Sequence, residues 1–494
     1  MLKIKNVFLH LIVMSLFVGF VIAIRLKPIT RTLEFDYDEG LNLIKALLYS
    51  EGFSLYKEIW SDQPPFLTVL LSHWFSLFGQ SIFAARFLIV LFSALLIWSF
   101  YQIVHNSLGR TPALIATLLL FTSWQFIRLS ISVMIGVPSL SLAMLSIYML
   151  TLYKRHPRKR FIVSSGGLLA LSLQTKLFTI FLIPLMLFYL FDFRIKGFDA
   201  KKPGDLLFYP ILFWLCALFG VYTFIGFFYH SFNYEQLVQA HLGQSDGEGL
   251  LNFRNLDYLR YLISQDYDYI FLAFIGSLAI FLKKQREGLF PLTWLATAIL
   301  ILLTYKPIWY HYYPLLAIPI SWLSAYGVAL VLDFFTEGWH SNFKSLNIKK
   351  LIFPCFAIAL LIFSIVAIPA KPIGKPDKNL KVIELVLKHS KSTQWMFTDR
   401  PIYAFYAGLR VPPEIAVMSY KRFNSGKLTN DYLLAVLQTY RPEQIVLARW
   451  TSRIKNYSKL SAYINENYSK TYQNETGEVE HYLLRSIPER SLES

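Results

Sequence analysis

Apolar residues in this chain gather into long runs divided by short polar interruptions, near 7–24, 83–105, 111–127, 131–153, 161–175, 176–191, 207–230, 269–282, 289–305, 311–333 and 351–369. A helix needs about 20 apolar residues to cross a bilayer, so the pattern predicts an all-α polytopic membrane domain of about eleven spans over residues 1–370. Lys3 and Lys5 precede the first run and no small-x-small cleavage site follows Ile24, which reads as an uncleaved anchor. Beyond residue 370, Pro372 and Pro376 punctuate a linker and the pattern becomes mixed. Helical spacing over 380–388, 431–440 and 460–467 alternates with strand-like runs at 395–398, 445–450 and 482–487, predicting a small soluble C-terminal α/β domain, 371–494.

Between the first two apolar runs the pattern changes differently. Leu41, Ile44, Leu47 and Leu48 recur at helical spacing with Gly52 just past them. Pro64 and Pro65 then open a second run, Phe66 to Phe78, closed by Gly79, the order expected of a helix that starts at Pro and stops at Gly. Neither run is long enough to span, so both predict helices lying along the membrane face within a first outer loop, 25–82.

Composition agrees with a membrane protein: of 494 residues, 55% are hydrophobic and 16% charged. The net charge of +17 therefore has to be located before nucleic acid is considered. Lys and Arg cluster in alternate loops, as at Lys154, Arg155, Arg158, Lys159 and Arg160, whereas loop 231–268 holds only Arg254 and Arg260 against six acids. By the positive-inside rule the N-terminus is cytoplasmic, the C-terminal domain extracytoplasmic, and the basic runs are topology signals with no nucleic-acid partner. Both flanks of 161–191 are basic, so the chain must turn back near Lys176, which places that ammonium at the outer edge. The two cysteines, Cys216 and Cys355, both lie in apolar runs and indicate neither a disulfide framework nor a CxxC site.

Against this basic balance, the stretch 34–62 collects Glu34, Asp36, Asp38, Glu39, Glu51, Glu58 and Asp62. A carboxylate can take the proton from an attacking hydroxyl, and a phosphate at headgroup level needs cations at that depth. Arg86, Lys176, Lys306 and His311 have about that level in the topology. Read blandly, the acids cap a helix and confer solubility, Lys176 snorkels, Arg86 pairs with a loop acid such as Asp62, and His311, Tyr312 and Tyr313 form an interfacial belt. Asp36-Tyr37-Asp38 also spells the DxD of nucleotide-sugar transferases, but no strand precedes it.

The acidic pair Asp38-Glu39, the G-x-x-x-Y element Gly52 to Tyr56, the D-x-P-P element Asp62 to Pro65, Leu77 to Gly79, and Ala84-Ala85-Arg86 resemble the GT-C glycosyltransferases, in particular the protein O-mannosyltransferase and aminoarabinose transferase branch. Lys176, Lys306-Pro307 and His311-Tyr312-Tyr313 fit the same order. The resemblance implies an inverting glycosyltransferase acting on the outer face of the cell membrane, with a polyprenyl-phosphate sugar as donor and an envelope glycan, lipid or protein as acceptor. It implies Asp38 as catalytic base and Glu39 as an orienting or metal-binding neighbour, a divalent cation being possible. Asp36, Tyr56, Asp62, Arg86, Lys176, Lys306, His311 and Tyr312 are the implied substrate-binding residues. A transporter or flippase of lipid-linked sugar is the alternative from another class, though transporters place ionisable groups near the midplane within related repeats.

Overall fold

The computed structural model describes residues 12, 14–16, 19, 32–191, 205–239, 254–264, 267–305, 308–340 and 380–485. The expected spans at 351–369 and, for the most part, 7–24 lie outside these residues. Among the described residues, five helices are long and apolar enough to cross a membrane: Ile82–Leu108, Gly136–Arg155, and the stretches Tyr209–Phe228, Arg286–Thr304 and Tyr310–Asp333. Shorter apolar helices cover Arg110–Phe121, Leu177–Phe191 and Tyr269–Leu282. The run at 111–127 is divided, because Ser123 leaves helical backbone (φ −56°, ψ 122°) between Arg110–Thr122 and Trp124–Leu129. The run 161–191 breaks where its polar interruption falls. One helix, Lys159–Leu173, ends before Gln174, and a tight turn, Leu177–Phe181, leads into Leu182–Phe191.

Some of these helices touch backbone to backbone. A Cβ added at Gly276 would lie 1.8 Å from the Leu323 carbonyl oxygen of the neighbouring helix Pro314–His340, the kind of approach only glycine permits. Gly276→Ala must push these helices apart, and its expected cost is about 1–3 kcal/mol, read as a lower midpoint in a denaturation titration of the detergent-solubilised protein.

The first-loop helices form with the boundaries their signals require. Tyr37–Ser50 is capped by Asp36, whose side chain accepts from the Asp38 N–H, and Gly52 beyond its end takes φ 100°. Phe66–Phe78 begins after Pro65 and stops at Gly79. Both pack inward on the C-terminal unit, not on the membrane helices alone. Leu43, Leu47, Leu67, Leu71 and Phe75 share one apolar cluster with Ile402, Tyr403, Phe405 and Met418. Gly40 allows this docking, since a Cβ there would lie 2.8 Å from the Ile402 nitrogen. The core of the C-terminal unit is therefore continuous with residues 43–75.

That unit carries a four-stranded sheet of order β1-β2-β4-β3. Strand β1 (Met396–Thr398) runs parallel to β2 (Gln444–Leu447), while β4 (Glu480–Leu484) is antiparallel to both β2 and β3 (Tyr468–Gln473). Strand β3 has no counterpart in the sequence reading: of its residues only Tyr468 is buried, so no apolar alternation marks it. The expected strand 445–450 stops at Leu447, because the N–H groups of Ala448, Arg449 and Trp450 turn to the buried carboxylate of Asp399 at 2.7, 3.0 and 2.5 Å.

Candidate active site

Where the first-loop helix, the membrane helices and the C-terminal unit meet, they enclose a cavity of about 560 Å³. Asp36, Asp38, Asp62, Lys176, His311 and Tyr312, all singled out in the sequence, line it. Lys45, Tyr310, Lys421 and Arg449 line it as well and carried no signal in the sequence beyond a lysine on an otherwise apolar helix. Three carboxylates and four cations thus face one space.

Each group is held in place by its own element. Asp38 occupies the first turn of Tyr37–Ser50, where the helix N-terminus favours negative charge. Asp36 accepts the Asp38 N–H at 2.9 Å through Oδ1 and the Tyr310 hydroxyl through Oδ2. Asp62 is ion-paired with Lys421 at 3.0 Å. Lys176 follows the turn at 174–176, its N–H bonded to the Ser172 carbonyl at 2.9 Å, and its ammonium lies 4.7 Å from the Tyr312 ring centroid. The same turn anchors the second loop helix, for the Phe66 N–H donates to the Gln174 carbonyl at 3.0 Å.

Burial, followed by the nearby Asp36 charge, raises the Asp38 carboxyl to a pKa of about 6. Burial also pulls the Lys45 ammonium below its ordinary range. Lys421 is likewise pulled down by burial, but the Asp62 carboxylate overcomes this and holds it above its usual value. The Asp38 carboxyl therefore changes protonation state nearer to neutral pH than an ordinary aspartate, in a cavity that four cationic side chains also line.

Three expected site residues do not line the cavity. Glu39 and Arg86 are both buried and face each other: Arg86 Nε donates to Glu39 Oε1 and Nη2 to Oε2, each at 2.9 Å. Backbone N–H groups of Val133 (3.1 Å) and Phe35 (2.9 Å) complete the carboxylate. Four donors thus occupy the two Glu39 oxygens, which face Arg86 and the backbone and not the cavity. The pairing of Arg86 with Asp62 is replaced by Glu39 for the one and Lys421 for the other. Tyr56 also stands outside the cavity. It adopts φ 69° and donates its hydroxyl to the Gln63 carbonyl at 2.9 Å, closing the turn that presents Asp62. Lys306 lies outside the described residues. Among the described residues no group of three or more His, Cys, Asp or Glu side chains is arranged to hold a metal ion.

The family model described as dolichyl-phosphate-mannose-protein mannosyltransferase matches residues 62–224, a stretch that includes Asp62, Arg86 and Lys176 but not Asp38. No curated protein sequence matches the chain. Among solved structures, ArnT from Cupriavidus metallidurans in the apo state superposes with a TM-score of 0.62 at 12% identity, over 97% of this chain and 98% of that one. The same protein bound to undecaprenyl phosphate gives 0.61 at 12% identity, with the same coverage. The archaeal oligosaccharyltransferase AglB from Archaeoglobus fulgidus, in complex with an inhibitory peptide and a dolichol-phosphate, gives 0.54 at 13% identity, over 97% of this chain and 74% of that one. The chain has the GT-C fold. Within it, the chain resembles the protein O-mannosyltransferase and ArnT branch.

Proposed function

We propose that this chain is an integral-membrane inverting glycosyltransferase, moving a sugar from a polyprenyl-phosphate donor to an envelope glycan, lipid or protein acceptor on the outer face of the cell membrane. The observation that carries the reading is the cavity itself: a carboxylate with a raised pKa, Asp38, shares one enclosed space with Lys45, Lys176, Lys421 and Arg449. Support comes from the fold, since its solved relatives include one bound to undecaprenyl phosphate and one in complex with a dolichol-phosphate.

The chemistry is a single displacement. The acceptor hydroxyl attacks the anomeric carbon and loses its proton to Asp38, while the bond from that carbon to the phosphate oxygen breaks and its electron pair leaves with the lipid phosphate. One attack from the face opposite the leaving group inverts the centre. Charge develops on the departing phosphate, and the lysine ammonium groups of the cavity stabilise it. The transporter alternative gains no observation here, because the acids gather on the first loop and line a cavity to which the C-terminal unit contributes Lys421 and Arg449.

The test is to incubate the purified full chain in nanodiscs with a panel of polyprenyl-phosphate sugars and envelope extract, following donor loss and product by mass spectrometry. Consumption of one donor, with its sugar appearing on a new acceptor, is expected; failure to consume any of a panel covering hexoses and pentoses would overturn the assignment. For Lys176→Ala, undecaprenyl phosphate should bind about 10- to 100-fold more weakly, the equivalent of ~1.5–3 kcal/mol for a lost charged hydrogen bond. Unchanged affinity would remove Lys176 from the phosphate site.

A further inference from the structure

Arg449 reaches the cavity from far along the chain, on the loop that follows β2. Its position is built and does not rest on a loose loop. Asp399, fully buried at the end of β1, accepts the N–H groups of Ala448, Arg449 and Trp450. The Trp450 ring packs on Phe423 with centroids 5.0 Å apart, and its indole N–H donates to the Met418 carbonyl at 3.4 Å. The guanidinium lies 4.6 Å from the ring centroid of Tyr37, the residue beside Asp38. The Asp399 carboxylate, which holds three successive N–H groups of this loop, and the Tyr37 ring therefore set one cation at the first turn of the helix that carries Asp38.

Resting on the reading of Asp38 as proton acceptor, we propose that Arg449 is a site residue supplied by the C-terminal unit, that it keeps Asp38 ionised within the enclosed cavity, and that Asp399 is the positioning residue that aims it. The charges around Asp38 make this cation necessary. From its own segment come Asp36, whose other oxygen is engaged by Tyr310, and from the following turn Asp62; both oppose a second negative charge. Lys176 from the membrane helices acts the other way. Lys421 is committed to Asp62, and Lys45 is weakened as a cation by burial. Arg449 lines the same cavity as Asp38, over the ring of the adjacent Tyr37, and acts on it in the same sense as Lys176; a guanidinium stays protonated in surroundings that would discharge a lysine.

The experiment is an infrared titration of the full chain in nanodiscs, following the protonated-carboxyl band that disappears in Asp38→Asn. In the unaltered protein the band titrates near pH 6, as the Asp38 environment requires. Arg449→Gln should move the midpoint up by about one pH unit, the lower end of what one adjacent opposite charge contributes. Arg449→Lys should restore most of the shift, and Asp399→Asn should move it in the same direction as Arg449→Gln with the fold intact by thermal melting. Should Arg449→Gln misfold, Arg449→Met takes its place, keeping an unbranched stem against Tyr37 without the charge. Superimposable titrations of the unaltered and uncharged proteins would overturn the proposal. Binding of undecaprenyl phosphate to the unaltered protein is measured alongside: its absence would count against the lipid-phosphate reading while leaving the coupling of Arg449 to Asp38 decided by the titration.

Discussion

Replacing Asp38 by Asn is expected to cut sugar transfer by about 10²- to 10⁴-fold, the range that a positioned general base contributes, while the protein remains folded. The substitution is nearly isosteric and leaves the helix start alone, because the capping bond to Asp36 Oδ1 comes from the backbone N–H of residue 38 and not from its side chain. What is lost is the only function asked of the group, acceptance of a proton. The unaltered enzyme should show the same dependence through pH. Burial raises the Asp38 pKa from its ordinary 3.8 to about 6, so the base is consumed by protonation as pH falls through 6, and kcat/KM should drop about tenfold for each further pH unit. Above that limb the rate should level off. A rate for Asp38→Asn within twofold of the original, or an acid limb that stays at the same pH in that variant, would remove Asp38 from the chemistry.

Much of this cavity's lining is legible in the sequence. Pro65 and Gly79 bound their helix where turn chemistry says they should, and the collection of acids in the first loop marked the place where the cavity lies. Two basic flanks require a turn between them, and Lys176, which follows that turn, lines the cavity. The residues that escaped are those whose relevance depends on packing across the chain. Nothing local in Lys421 or Arg449 says that the sheet they flank docks on residues 43–75; Gly40, which makes that contact possible, reads as a mere helix-weakening glycine until Ile402 is seen against it. Asp38 and Glu39 illustrate the opposite difficulty. They are neighbours with the same chemistry, and only the 100° step of a helix separates the one that faces the cavity from the one that faces Arg86.

That separation carries the other large effect. Glu39 and Arg86 form a bidentate pair with almost no exposure, and removal of one partner leaves a charge in a space that cannot solvate it. Arg86→Met should therefore destabilise the protein by about 3–5 kcal/mol, far more than loss of the exposed Arg260–Asp257 pair, for which no measurable change is expected. The reason lies in how much converges on this arginine. Besides Glu39 it donates to the Leu33 carbonyl at 3.2 Å and the Thr32 carbonyl at 3.3 Å, and it lies 4.5 Å from the centroid of Phe35, so it fastens the entry to the helix Tyr37–Ser50 onto the membrane helix Ile82–Leu108. Glu39 in turn holds the Val133 N–H, while Asn42 one turn later holds the Val133 carbonyl at 2.9 Å. The double variant Glu39→Gln with Arg86→Met removes both charges and should recover part of the loss, since an amide needs no counter-ion. Thermal melts of the three proteins in detergent, run beside a transfer assay, separate a bracing pair from a reacting one. A bracing pair lowers stability in both single variants and regains it in the double variant; a reacting Glu39 would lose activity in Glu39→Gln with its melting temperature unchanged.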